Sequence, residues 1–162
     1  MMDGLSPERA GGYTSLINIV SLPFALLVPT GMRRGWGAFI APCAPLPAVV
    51  GVALYLTAGS SAALPVALLL GLAQGCCLGV SYDQVVQYAR SPDHAAAVSA
   101  LTSTVGVAIA SIGPLVYGFG LESTGSFVIP LGVLGGLIVL QAIMGLRTGR
   151  YGGQPQERAR LD

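Results

Sequence analysis

Residues 35–82 read GWGAFIAPCAPLPAVVGVALYLTAGSSAALPVALLLGLAQGCCLGVSY, and no charged side chain interrupts them. A helix needs about 20 apolar residues to cross the roughly 30 Å hydrocarbon core of a bilayer. The run is long enough for two crossings. Ala58-Gly59-Ser60-Ser61 in its middle supplies the small residues at which a chain can reverse. Strict polar–apolar alternation is missing, which argues against the short strands of a membrane barrel.

Working outward, three further stretches lack charge: Ala10–Met32, Ala95–Leu121 and Ser123–Leu146. Together they predict an all-α integral membrane fold of about five transmembrane helices, near 11–31, 37–57, 63–87, 95–119 and 125–146. The membrane domain would cover 11–149, after an external segment 1–10 and before a cytoplasmic tail 150–162. Composition agrees. Only 9% of the 162 residues are charged and 53% are hydrophobic, with a mean hydropathy of +0.72. Soluble domains carry roughly 25% charged residues.

All eight basic residues are arginines. Arg33 and Arg34 follow the first predicted helix, Arg90 the third, and Arg147, Arg150, Arg158 and Arg160 the fifth. The other side holds Arg9 alone. Basic residues favour the cytoplasmic side, so the N-terminus is expected outside and the C-terminus in the cytoplasm. A chain rich in Ala, Gly and Val, with Arg and no Lys, suggests a GC-rich bacterial gene and a multi-pass protein of the inner cell membrane. A net charge of +1 without an Arg cluster gives no footprint for nucleic acid. Cys43, Cys76 and Cys77 lack metal-site spacing, and no zinc-protease, phosphate-loop or serine-elbow pattern is present. An enzyme is therefore not expected, nor any cofactor.

Ser6-Pro7-Glu8 and Ser91-Pro92-Asp93 each offer a capping serine, a proline at the first helical position and an acid beside it. Shifting Ser6 onto Ser91 also aligns Ala10 with Ala95, Leu16 with Leu101, Val20 with Val105, Ala25 with Ala110 and Pro29 with Pro114. The two segments enter the membrane from opposite sides, as inverted repeats of three helices do. The repeat partner of the third helix would begin before Met1. An incomplete three-plus-three inverted repeat is the expectation, with the small-residue face of the third helix left open to lipid.

Several segments resemble the second half of the major facilitator superfamily fold. Gly4-Leu5-Ser6-Pro7-Glu8-Arg9-Ala10-Gly11 resembles the external connection into that family's eighth helix, and Met32-Arg33-Arg34-Gly35 a shortened form of its basic cytoplasmic loop. Gly71-Leu72-Ala73-Gln74-Gly75 is similar to its tenth helix. Gly113-Pro114-Leu115-Val116-Tyr117-Gly118 with Glu122-Ser123-Thr124-Gly125-Ser126-Phe127 is similar to the end of the eleventh helix and its loop, most of all in the cyanate and nitroimidazole transporter branch. The resemblance implies a secondary transporter of a small organic or anionic solute, without a cofactor. The N-terminal half and one further helix would be lacking, so the chain is not expected to transport alone. It would need a separate N-terminal half, or self-association. The alternatives are a non-transporting assembly or regulatory subunit and an inactive truncated fragment.

Gln74 and Asn18 are uncharged polar residues deep in the third and first predicted helices. The resemblance makes them candidates for substrate contact; the plainer reading is interhelical hydrogen bonding. Asp83 is an acid inside a predicted span, seven residues before Arg90 and near the same helix face. Intramembrane carboxylates serve proton paths or ion pairs, so Asp83 and Arg90 are candidates for proton coupling or gating. A carboxylate held by water and Arg90 is the structural alternative. Arg33 and Arg34 mark the cytoplasmic loop. Gly71, Gly75 and Gly79, and likewise Gly132 and Gly136, recur every four residues, a spacing that lets helix backbones approach. His94 reads as a solvated interfacial residue and Gln141 as structural. Pro42, Pro45 and Pro47 predict an irregular start to the second helix, and Pro114 a kink in the fourth.

Overall fold

The computed structural model describes residues 6–124 and 128–149. Among the described residues all regular structure is helical and no strand occurs. The first helix, α1, runs from Pro7 to Gly31. Ser6 caps it, its Oγ accepting from the Arg9 backbone N–H at 3.4 Å, and Pro7 and Glu8 occupy the first turn, where a missing N–H and a negative charge are both favoured. Met32–Trp36 turns the chain, and the helical path breaks at Gly35, whose φ of 90° suits glycine.

The expected second helix is divided. α2 spans Gly37–Cys43 and α3 spans Leu46–Ala58, with the break at Ala44 and Pro45. Prolines at 45 and 47 lack the N–H groups that would carry the helical ladder through this point, and the fully buried Pro45 holds the joint. Gly59, at φ 61°, ends α3, and Gly59–Ala62 forms a single tight 3₁₀ turn. α4 follows over Ala63–Tyr88, α5 over Pro92–Thr124 and α6 over Val128–Gly149. α5 is unbroken through Pro114. Residues 1–5, the helix start expected near 125 and the tail 150–162 lie outside the described residues. Two helical stretches are long and apolar enough to cross a membrane, Gly11–Gln87 with its internal turns and Pro92–Gly120.

The chain divides into two compact units, Met1–Asp83 with Gln141–Asp162, and Gln84–Leu140. In the first, α1 and α4 run parallel and nearly backbone to backbone. A methyl group on Gly71 would stand 2.8 Å from the Ile17 carbonyl oxygen and 2.9 Å from Val20 Cβ. On Gly75 it would collide with the Ser21 carbonyl and Phe24, and on Gly79 it would lie 2.7 Å from Val28 Cβ. The glycine face of this helix, expected to meet lipid, is instead covered by α1. That cover arises because α4 returns alongside α1 after the α2–α3 passage.

α3 reverses onto α4, with Gly51 facing Leu69 and Val66. Val28, Met32, Ala41, Ala44 and Val80 form a small core, flanked by Ile40, Cys76 and Cys77. The last turns of α6 pack here too, since a methyl on Gly145 would lie 2.7 Å from the Ala41 carbonyl oxygen. Gly132 and Gly136, whose spacing suggested packing, have open space where a side chain would begin. In the second unit, α5 leaves Leu101, Val107, Ile109, Leu115 and Phe119 exposed.

Candidate functional site

The parallel contact between α1 and α4 orders the polar candidates along one seam. At one level Gln74 Nε2 donates to Asn18 Oδ1 at 3.2 Å, and Asn18 Nδ2 donates to the Thr14 carbonyl at 3.0 Å. Both side chains are exposed. The two residues singled out separately in the sequence thus form one carboxamide pair joining two helices. Ser21, buried on the next turn, donates its hydroxyl to the Asn18 carbonyl at 2.8 Å. It packs against Gly75, where only a glycine leaves room for its backbone.

Further along the seam, past Gly79, Asp83 is buried at 3% exposure and Arg33 Nε lies 3.9 Å from its Oδ1. The Arg33 side chain is 67% exposed, so one end of the ion pair is dry and the other solvated. That separation exceeds the 2.7–2.9 Å usual for a charge-assisted hydrogen bond, so the contact is chiefly coulombic. Burial makes the carboxylate depend on such a partner, because an uncompensated buried charge is strongly unfavourable.

Arg90, the cation expected beside Asp83, belongs to the second unit. Its backbone N–H donates to His94 Nδ1 at 3.1 Å, while the His94 N–H donates to Ser91 Oγ at 3.1 Å. Ser91 thus caps the start of α5, and the His94 ring reaches back to the backbone N–H of the residue before that cap. His94 therefore has a local structural task that the sequence reading did not assign. Gln141 hydrogen-bonds the Cys77 side chain, tying the second half of α6 to α4. Arg34 is exposed on the α1–α2 turn.

Sequence reasoning missed Ser21, Gly145 and the choice of Arg33 as the ion partner. The one usable signal for Arg33 was order: if Asn18 meets Gln74 in a parallel pair, the basic residues that follow α1 fall toward the Asp83 end of α4 rather than the Ala63 end.

Comparison with known proteins adds a second line. The chain is 30% identical over 152 residues to the 2-nitroimidazole transporter of Escherichia coli, covering 91% of this chain and 37% of that protein. It is 25% identical over 153 residues to an uncharacterized transporter, YycB, of Bacillus subtilis, again over 91% of this chain and 37% of that protein. The chain thus spans little more than a third of the length of these relatives. No protein-family model matches it, and no solved structure does. An apolar helical chain with this similarity is related to transporters, and a membrane protein is what its helices and relatives support.

Proposed function

We propose that the chain supplies one wall of the solute pathway in a secondary active transporter of major facilitator type. It carries a small organic or anionic solute and acts with further helices rather than alone. The carrying observation is the Asn18–Gln74 pair, exposed on α1 and α4, in a chain similar to two transporters over 91% of its length. Polar groups within an apolar span are unfavourable toward lipid and belong toward a cavity or a partner. After their mutual bond each amide keeps one N–H, and Gln74 Oε1 remains an acceptor, so the pair offers both hydrogen-bonding senses to a solute.

In this reading Arg33 and Asp83 form a gating ion pair at the Arg-rich end of the seam. A proton on Asp83 removes the attraction that holds Arg33. The pair is a ready coupling element because a buried carboxylate and a solvated guanidinium respond differently to water entering the pathway.

A chimera tests the proposal. The matched region of the Escherichia coli 2-nitroimidazole transporter is replaced by this chain, and uptake or efflux of nitroimidazoles and small carboxylates is followed in membrane vesicles. Transport that disappears in Asn18→Ala or Gln74→Ala is the expected result. A fully inserted chimera that moves none of these solutes counts against the reading.

A further inference from the structure

The corner between α1 and α2 holds two arginines with different surroundings. Arg33 is engaged with Asp83. Arg34 is exposed and has no ion partner among the described residues. Two residues on stands Trp36, the only tryptophan of the chain, 69% exposed. Phe39, in the first turn of α2, is 76% exposed. Neither ring belongs to the core built around Met32 and Ala41. Gly35 breaks the helical path between Arg34 and Trp36, so a cation and an indole flank one sharp bend.

The surface leading to this bend is apolar. Ile19, Leu22 and Leu26 are exposed at helical spacing along α1. This outer stripe suits acyl chains, and it ends about two turns before Arg34, or roughly 12 Å along the axis. The bend therefore falls where hydrocarbon gives way to headgroups. Tryptophan prefers that level because its ring is apolar and its N–H polar. An unpaired guanidinium matches the two oxygens of a phosphate, and it favours lipids whose negative charge is not cancelled by an ammonium group.

We propose that Arg34, Trp36 and Phe39 form a binding site for an anionic phospholipid. Arg34 holds the headgroup phosphate, and the two rings lie against the upper acyl chains. The division of labour between adjacent arginines is specific: Arg33 serves the protein and Arg34 serves the bilayer.

Because Trp36 is the sole indole, its fluorescence reports this site alone. The full chain is reconstituted in phosphatidylcholine vesicles containing brominated phosphatidylglycerol or brominated phosphatidylcholine, and quenching gives the relative affinity of the two lipids. One basic residue near a surface predicts about a fivefold preference for the anionic lipid, shrinking as salt is raised. Arg34→Gln should bring the ratio close to one, while Arg34→Lys keeps most of it and Arg33→Gln leaves it largely intact. Equal quenching in the unsubstituted chain, or a preference that survives Arg34→Gln, overturns the proposal. So does an indole that neither lipid quenches, since protein would then cover the ring.

Discussion

Glycines spaced by four occur on both α4 and α6, with opposite outcomes. Gly71, Gly75 and Gly79 are filled by the backbone and β-carbons of α1, whereas Gly132 and Gly136 face open space. Three glycines of α5, Gly106, Gly113 and Gly118, are equally open. A small-residue stripe permits close approach; it does not supply the partner. On α4 the partner comes from the chain's own hairpin path, because α4 returns parallel to α1 after the antiparallel α2–α3 passage. On α5 and the first part of α6, the same kind of surface is left uncovered by the described residues.

The largest effect should come from the packed stripe. Gly75→Ala forces its new methyl against the Ser21 carbonyl, and the strain of such overpacking is about 2–3 kcal/mol. Gly136→Ala meets nothing and should be neutral or stabilising, by up to about 0.5–1 kcal/mol from helix propensity. Unfolding in mixed detergent micelles, followed by circular dichroism, compares the two. Equal losses would break the distinction between the two stripes.

The ion pair comes next. Arg33→Gln removes the cation 3.9 Å from the buried Asp83, a loss of about 1–2 kcal/mol once the exposure of Arg33 is allowed for. Asp83→Asn keeps the shape and removes the charge, so Arg33→Gln in that background should have almost no effect. A double-mutant cycle that finds the two substitutions additive would show that the seam is held elsewhere. The smallest effect belongs to the amide pair: Asn18→Ala and Gln74→Ala should couple by about 0.6 kcal/mol, the average for interhelical hydrogen bonds in membranes. Coupling indistinguishable from zero would mean that the amides serve solute or water rather than each other.

Much of the local structure was legible in the residues. The Ser-Pro pairs mark the starts of α1 and α5, Gly59 marks the end of α3, and the proline cluster foretold an irregular second passage, which the structure resolves as a full break at Pro45. These signals act through bonds within a few residues, so a short window contains them. The tertiary seam was not legible in the same way. Asp83 was set beside Arg90 because seven residues along a helix return to the same face, yet the cation at 3.9 Å comes from a residue 50 positions earlier. Which face of α1 meets α4 depends on how the intervening hairpin closes, and no local periodicity encodes that closure. Gly145 escaped notice for the same reason: only the arrival of α2 at Ala41 gives it a role.

The α1–α4 seam is fastened at two heights, by the amide pair and by the ion pair, and lies flush in between. Gln74 and Asp83 are nine positions apart, about 13.5 Å along the axis. Over that length a roll of one helix on the other is opposed chiefly by the α1 atoms lodged against Gly75 and Gly79, between the two ties. A tilt imposed at the Asn18 level is then delivered at the Arg33 level with its direction preserved, as a lever carries a push from one arm to the other.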